Sequence, residues 1–368
     1  MNVFIEVYTI KHPYVGVGEF CLNFGKHLAL RSTELRSCGI QLVFIVPRDK
    51  EGVFGNEVDY ISFPANIGGL ERFCLKSVDL LHLTHQYCKF IRFPRVKNTL
   101  LTIHDINFIY EKQGAKLMKY TRKFEHLLQK VDFVNYISNF TQQDTEAHFK
   151  VNKTSHVIYN GVSKQHYNEM NISNDFKSLI PPSYLFHISS LRPKKNIHLL
   201  VEMATMMPEE TFVIAGDWNT SYGQAQQERI KQQNLQNIVC LSNVSSEEKA
   251  WLYAHCKAFL FPSACEGFGL PPIEAMQAGK PVFLSNLTSL PEIGGTLAFY
   301  WEKLNPKEMA QVVREGLQSF NKTPGYADAL QDYASRFDWE TCVDKYIRYY
   351  KEIVKASLIN KGSNIQSI

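Results

Sequence analysis

Two glutamates, Glu266 and Glu274, bracket a glycine-rich stretch, Gly267-Phe268-Gly269-Leu270, in the string CEGFGLPPIEAMQAG (265–279). The main-chain N–H groups of such a stretch can hold a diphosphate where it opens a helix. Glycine lets the backbone approach closely, and the helix dipole favours negative charge. Carboxylates repel phosphate, so a pure phosphate loop would avoid them. One carboxylate can, however, accept hydrogen bonds from two neighbouring hydroxyls. Phosphate in the middle and polyol at both ends describe a nucleotide sugar, with Glu274 on the ribose and Glu266 on the other sugar. AFLFP (258–262) reads as a buried strand leading into this loop, Pro272 suits the first position of a helix, and Gly279 suits its end. In open α/β sheets the ligand lies beyond the carboxyl ends of the strands, where this loop falls.

Short apolar runs that could carry such loops recur along the whole chain. Strands are expected at 3–8, 40–46, 80–83, 99–103, 133–138 and 156–160, then at 184–189, 211–216, 237–241, 258–262 and 281–285. Helical patterns at 18–31, 115–130, 196–206, 246–254 and 306–319 separate most of them, which implies parallel sheets with helices on both faces. Residues 163–183 break the rhythm and end in Pro181-Pro182, so the domain boundary is placed there. Domains 1–165 and 170–339 would face each other across a ligand cleft. Residues 339–359 read as one long amphipathic helix.

The bulk numbers fit two ordinary domains: 368 residues, 45% hydrophobic, 21% charged. A formal charge of +4 does not by itself argue for nucleic acid. The eight cysteines form no C-x-x-C pair, and they read as reduced cytosolic thiols rather than a zinc site. No signal-peptide pattern opens the chain, and no apolar run approaches a membrane span. The expected location is the cytoplasm, with a peripheral place on the inner membrane face left open. Residues 110–130 carry six basic and two acidic side chains, and KFIRFPRVK (89–97) adds four positives with interleaved aromatics. Such patches suit anionic headgroups or a lipid-diphosphate acceptor, and equally a solvated face. No recognised nucleic-acid module is present.

The full string PSxxEGFGLPPIEAMxxGxPV closely resembles the signature of family 4 retaining glycosyltransferases, which have the GT-B fold of two facing Rossmann-like domains. The resemblance extends along the chain. Gly16 and Gly18 resemble the family's first glycine loop; a dinucleotide fingerprint is the rival, but Cys21 stands where its third glycine would be. TIHD (102–105) resembles the segment whose histidine hydrogen-bonds the donor sugar, which gives His104 that role by resemblance. In SSLRPKKN (189–196), Lys195 aligns with the lysine that contacts the diphosphate. Where many members have Gly-Arg this chain has Ser189-Ser190, and Arg192 is the candidate to supply the missing guanidinium. IAGDW (214–218) could border the nucleotide, NLTSLPEIGG (286–295) resembles the loop after the Glu274 helix, and 340–368 resembles the helix that crosses back to the first domain. His82 and His85 could suggest a metal pair, but no third ligand is evident; they read as cleft-lining or structural.

The resemblance implies hexose transfer with retention of anomeric configuration. No D-x-D triplet occurs, so neither a metal nor another cofactor is expected. Lys195, Arg192 and the amides of 267–270 would neutralise the departing diphosphate. SLRPKKN and SLPE resemble bacterial members that build surface polysaccharides, several of them mannosyltransferases. This favours GDP-mannose over UDP-sugars as donor and a glycan or lipid-linked acceptor. A non-catalytic sugar-nucleotide-binding protein and a nucleotide-sugar epimerase are the alternatives on the same fold.

Overall fold

The computed structural model describes residues 1–12, 16–63, 77–88, 96–164 and 172–363. The chain divides into two compact units, residues 1–163 with 337–368, and residues 164–336.

The strands of unit 1 are β1 (Asn2–Glu6), β2 (Gln41–Pro47), β3 (Asp59–Phe63), β4 (Leu80–Leu83), β5 (Thr99–Ile103), β6 (Phe133–Tyr136) and β7 (Thr154–Val157). They form one parallel sheet in the order β3-β2-β1-β4-β5-β6-β7. Its helices are α1 (Gly16–Ala29), α2 (Ser32–Ser37), α3 (Phe108–Glu111), α4 (Gly114–Lys130) and α5 (Asn139–His148). The period of two along β1 shows why both faces are covered. Val3 and Ile5 join the core that contains Phe24 and Leu28 of α1, while Phe4 joins the opposite core with Phe124 and Leu127 of α4.

In unit 2, α6 (Asn174–Leu179) precedes β8 (Leu185–Ile188), α7 (Ile197–Met206), β9 (Phe212–Ala215) and α8 (Ser221–Gln232). Then come β10 (Ile238–Leu241), α9 (Ser246–His255), β11 (Ala258–Phe261), α10 (Leu270–Gln277), β12 (Val282–Ser285), α11 (Leu290–Gly294), β13 (Phe299–Trp301), α12 (Pro306–Lys322) and α13 (Tyr326–Ser335). The sheet is again parallel, in the order β10-β9-β8-β11-β12-β13. The doubly wound α/β class expected from the strand-helix alternation is present in both units.

The last helix, α14 (Trp339–Ser363), packs on the unit 1 sheet. Buried tyrosines fasten it there. The Tyr350 hydroxyl lies 2.6 Å from His82 Nδ1, Tyr346 accepts from Asn135 Nδ2 at 2.7 Å, and Tyr349 donates to the Val134 carbonyl at 3.1 Å. Satisfying these hydroxyls lowers the cost of burying large aromatic surfaces. His82 is thereby a structural residue, bonded to Thr102 on its other nitrogen at 2.8 Å. Burial holds its imidazole down at about 3.

Among the described residues no helix is long and apolar enough to cross a membrane. Residues 89–95 of the basic stretch KFIRFPRVK lie outside the described residues.

Candidate active site

Strand order reverses once in each sheet, between β8 and β11 in unit 2 and between β1 and β4 in unit 1. The crevice at such a switch point is the ligand position in open α/β sheets. The loops leaving β8 and β11 carry Lys195 and Glu266. Main-chain and side-chain bonds tie the two loops together: Ala264 N–H donates to the Lys194 carbonyl at 2.7 Å, and Asn196 Nδ2 donates to the Pro262 carbonyl at 2.9 Å. Asn196 adopts φ 54°, the left-handed conformation that asparagine tolerates, and so lets α7 start immediately.

This stitching brings Lys195 Nζ onto Glu266 Oε1. The two side chains are only 10% and 14% exposed, so the pair sits in a partly desolvated corner, with the ammonium 5.1 Å from the Phe261 ring centroid. Glu266 is held from behind. Its N–H donates to Thr288 Oγ1 at 3.1 Å, and Ser289 Oγ lies 3.1 Å from its carbonyl and 2.7 Å from that of Phe268. Thr288 has φ 56°, a costly conformation for a β-branched residue, retained where it clamps the glutamate. Beneath the pair, His187 Nδ1–H donates to the Leu260 carbonyl at 2.7 Å, so its Nε2 accepts from the Ser189 hydroxyl at 2.7 Å. Burial holds this imidazole at about 4, hence neutral. Ser189 is thus anchored downward. Arg192 is exposed, and its carbonyl accepts from the Lys195 N–H at 2.9 Å.

The loop runs into α10 through Gly269, whose φ of 123° only glycine adopts without strain. Pro271 and Pro272 follow Leu270 and carry no N–H. The donors at this helix end are therefore the amides of Gly269 and Leu270. Because the helix begins at Leu270 rather than Pro272, Glu274 lies in its second turn, not its first. Its buried carboxylate is paired with Lys249 of α9, Nζ to Oε1 at 2.7 Å. Trp218, in the segment expected to border a nucleotide, is a core residue of unit 2.

In unit 1, Gly16 and Gly18 form the first turn of α1 rather than a loop before it. A Cβ at Gly18 would stand 2.0 Å from the His12 carbonyl oxygen, so glycine is needed for the helix to start there. Phe20 of the same helix sets its ring edge-on against His104, centroids 4.8 Å apart. His104 follows β5 directly and is buried. Its Nε2–H donates to the Thr84 carbonyl at 2.9 Å, and its own N–H donates to Gln86 Oε1 at 3.1 Å. Burial holds the imidazole at about 4. A neutral ring with its proton on Nε2 keeps a lone pair on Nδ1, which suits it to accept from a hydroxyl. His85 stands beside Glu6, Nε2 to Oε2 at 3.5 Å. Among the described residues no group of three His, Cys, Asp or Glu could hold a metal ion.

Residues 171–325 match the family model of the glycosyl transferases group 1. The O-antigen chain mannosyltransferase B of Escherichia coli is 25% identical over 393 residues, covering 95% of this chain and 100% of that protein. Residues 171–325 thus resemble the group 1 glycosyltransferases. Solved structures agree on the fold. Sucrose-phosphate synthase from Thermosynechococcus elongatus superposes with a TM-score of 0.76 at 14% identity, over 97% of this chain and all of that one. Anabaena HepE, in complex with UDP and glucose, superposes with a TM-score of 0.74 at 18% identity, over 96% of this chain and all of that one. The architecture is GT-B, and the chain is a glycosyl-transferring enzyme.

The sequence motifs of this glycosyltransferase located Glu266, Glu274, Lys195 and His104 but not the groups that hold them. Lys249 and Thr288 are separated from their partners by 25 and 22 residues, and no local pattern announces either contact. Glu6 at the end of β1 could have been noticed, since a lone carboxylate closing the apolar run Val3-Phe4-Ile5 is unusual.

Proposed function

We propose that this glycosyltransferase moves a hexose, mannose favoured, from a nucleotide-diphosphate sugar to a glycan or lipid-linked acceptor, with retention and without a metal. The observation that carries this reading is the Lys195–Glu266 pair at the strand-order reversal of unit 2, beside the loop amides of 267–270. A buried ammonium and main-chain donors offer the positive charge that a departing diphosphate needs. Glu266, held by Thr288 and already balanced by Lys195, supports the sugar as positive charge develops at its anomeric carbon. Glu274 accepts from the ribose hydroxyls, and Lys249 pairs with it inside the fold. His104 accepts from a hydroxyl of the transferred sugar. Arg192, exposed, is free to turn toward the diphosphate. The acceptor hydroxyl attacks on the face from which the diphosphate leaves, and a phosphate oxygen takes its proton. The similarity to an O-antigen mannosyltransferase supports mannose and a surface-polysaccharide acceptor.

The basic face of α4 supports peripheral attachment to an anionic membrane. Lys116, Lys119, Arg122 and Lys123 are exposed there beside Met118, itself 55% exposed.

A thermal-shift panel of GDP, UDP, ADP and their sugars tests the donor assignment. The matching nucleotide should stabilise by about 2.7 kcal/mol at a hundredfold excess over Kd. Release of α-mannose from GDP-α-mannose, read by proton NMR before mutarotation, is the expected hydrolytic leak. Stabilisation by none of the panel, or first release of the β-anomer, would overturn the reading.

A further inference from the structure

Glu6 is the one carboxylate at the end of β1, where the strand order of unit 1 reverses, and it is 1% exposed. A buried carboxylate is costly, so its partners decide why it is there. It grips both residues of the Thr84-His85 dipeptide that follows β4. Its main-chain carbonyl accepts the Thr84 hydroxyl at 2.5 Å, and its Oε2 faces His85 Nε2 at 3.5 Å. Oε1 accepts the Tyr8 N–H at 3.0 Å. The His85 tautomer follows from geometry. Its Nδ1 accepts the Tyr87 N–H at 3.0 Å, so in the neutral ring the proton sits on Nε2, the nitrogen that faces Glu6. The peptide between Thr84 and His85 carries the carbonyl that receives His104 Nε2–H at 2.9 Å.

We propose that Glu6 is a positioning residue for glycosyl transfer: by holding Thr84 and His85 it places the carbonyl that fixes the tautomer and aim of His104. The inference rests on the reading of His104 as a sugar-hydroxyl acceptor. The ionised carboxylate is the productive form, because its two oxygens face two N–H donors, Tyr8 and His85, and a proton on either oxygen displaces one of them. Burial raises the Glu6 carboxyl to about 7, opposed by the Tyr8 N–H and by the Cys88 and Thr84 side chains. The other titratable groups around it are the Cys88 thiol, the Cys21 thiol of α1, pushed up to about 12, and the imidazoles of His85 and His104, held at about 3 and about 4. Cys21, His85 and His104 do not change charge near neutrality, whereas Glu6 titrates there.

The test compares Glu6→Gln, Glu6→Asp and His104→Ala in the full chain. Donor hydrolysis is followed from pH 5.5 to 8.5, and nucleotide-diphosphate affinity is measured in parallel. Wild-type kcat should fall on the acid side with a midpoint near 7. Glu6→Gln should lower kcat about tenfold, lose that acid limb and leave nucleotide affinity unchanged, while Glu6→Asp keeps the limb. A Glu6→Gln enzyme with wild-type kcat and pH profile, alongside an impaired His104→Ala, overturns this inference alone. An unimpaired His104→Ala removes the reading on which it rests. Should Glu6→Gln fail to fold, nitrogen NMR of the wild-type imidazoles decides. The Nε2–H form of His104, with a resonance that moves with a midpoint near 7, is expected; an Nδ1–H form, or no movement between pH 6 and 8, overturns the proposal.

Discussion

The strand-order reversals of the two units are built from opposite materials. In unit 2 the polar groups are charged and paired, Lys195 with Glu266 and Lys249 with Glu274. In unit 1 they are buried imidazoles kept neutral, His85 and His104 with His82 beneath them, and one carboxyl poised near neutrality. The same doubly wound sheet therefore offers two chemistries. Paired charges in a half-dry corner can exchange partners with an incoming anion at little extra desolvation cost. Neutral imidazoles recognise hydroxyls, which carry no charge to reward a cation. The division of labour follows from what surrounds each loop, not from the fold they share.

Acid should separate the two units most strongly. A histidine buried neutral binds no proton in the fold but binds one below about 6.5 when unfolded, so stability is lost as pH falls through that value. Each such group costs on the order of 2 kcal/mol at pH 5. Unit 1 holds three, His82, His85 and His104, and unit 2 holds His187. Glu6 works the other way. Its raised carboxyl binds a proton in the fold before the unfolded chain does, so it favours folding as pH falls from about 7 toward 4.5 and offsets about one histidine. Hydrogen exchange at pH 7 and pH 5 should show protection lost first in β4 and β5. Equal loss in β8 and β11 would break the contrast. Glu6→Gln should steepen the loss in unit 1.

Next in size is Lys195→Ala. Removing the ammonium should lower kcat on the order of 10²–10³, the usual cost of one such group. It also strands Glu266, so the double variant Lys195→Ala/Glu266→Gln should recover stability but not rate. Recovery of rate would place the role of Lys195 in holding the fold. Glu274→Gln should weaken nucleotide binding about tenfold or more, as expected for one charged hydrogen bond, with kcat nearly unchanged. Titration calorimetry with the nucleoside diphosphate reads this directly, and unaltered affinity would detach Glu274 from the ribose.

Much of this division was legible before the fold was known, and its gaps have physical causes. The buried strands β1, β2, β4, β5, β11 and β12 stand out as continuous apolar runs because parallel strands are covered on both faces. The two strands that the apolar pattern does not reveal, Asp59–Phe63 and Phe299–Trp301, lie at sheet edges and are half-buried. A third edge strand, Thr154–Val157, was expected two residues later, because its alternating exposed pattern is weaker than the apolar Ile158-Tyr159 beyond it. The chemistry shows the same limit. Glu266 and Glu274 sit in one local string. Their partners Lys195 and Lys249, by contrast, arrive from other loops and helices, 71 and 25 residues away. Spacing reports what a loop can do alone; it is silent on which charge the topology delivers to it.

The smallest expected effect bears most directly on the contrast itself. His104→Ala removes one neutral hydrogen bond to a sugar hydroxyl, worth about 1 kcal/mol, so kcat/KM should fall about five- to tenfold. Because burial holds His104 at about 4, its charge does not change between pH 6 and 8. Its own charge therefore adds no pH dependence across that range, whereas a histidine acting as a cation would contribute only below about 6.5. Measured as a ratio of wild type to His104→Ala, the defect should follow the ionisation of Glu6, level above about pH 7.5 and shrinking rather than growing below about 7. It should also be insensitive to salt, since no charge is lost. A ratio that grows as pH drops through 6.5, or that collapses in high salt, would mean that unit 1 recognises its ligand by charge after all.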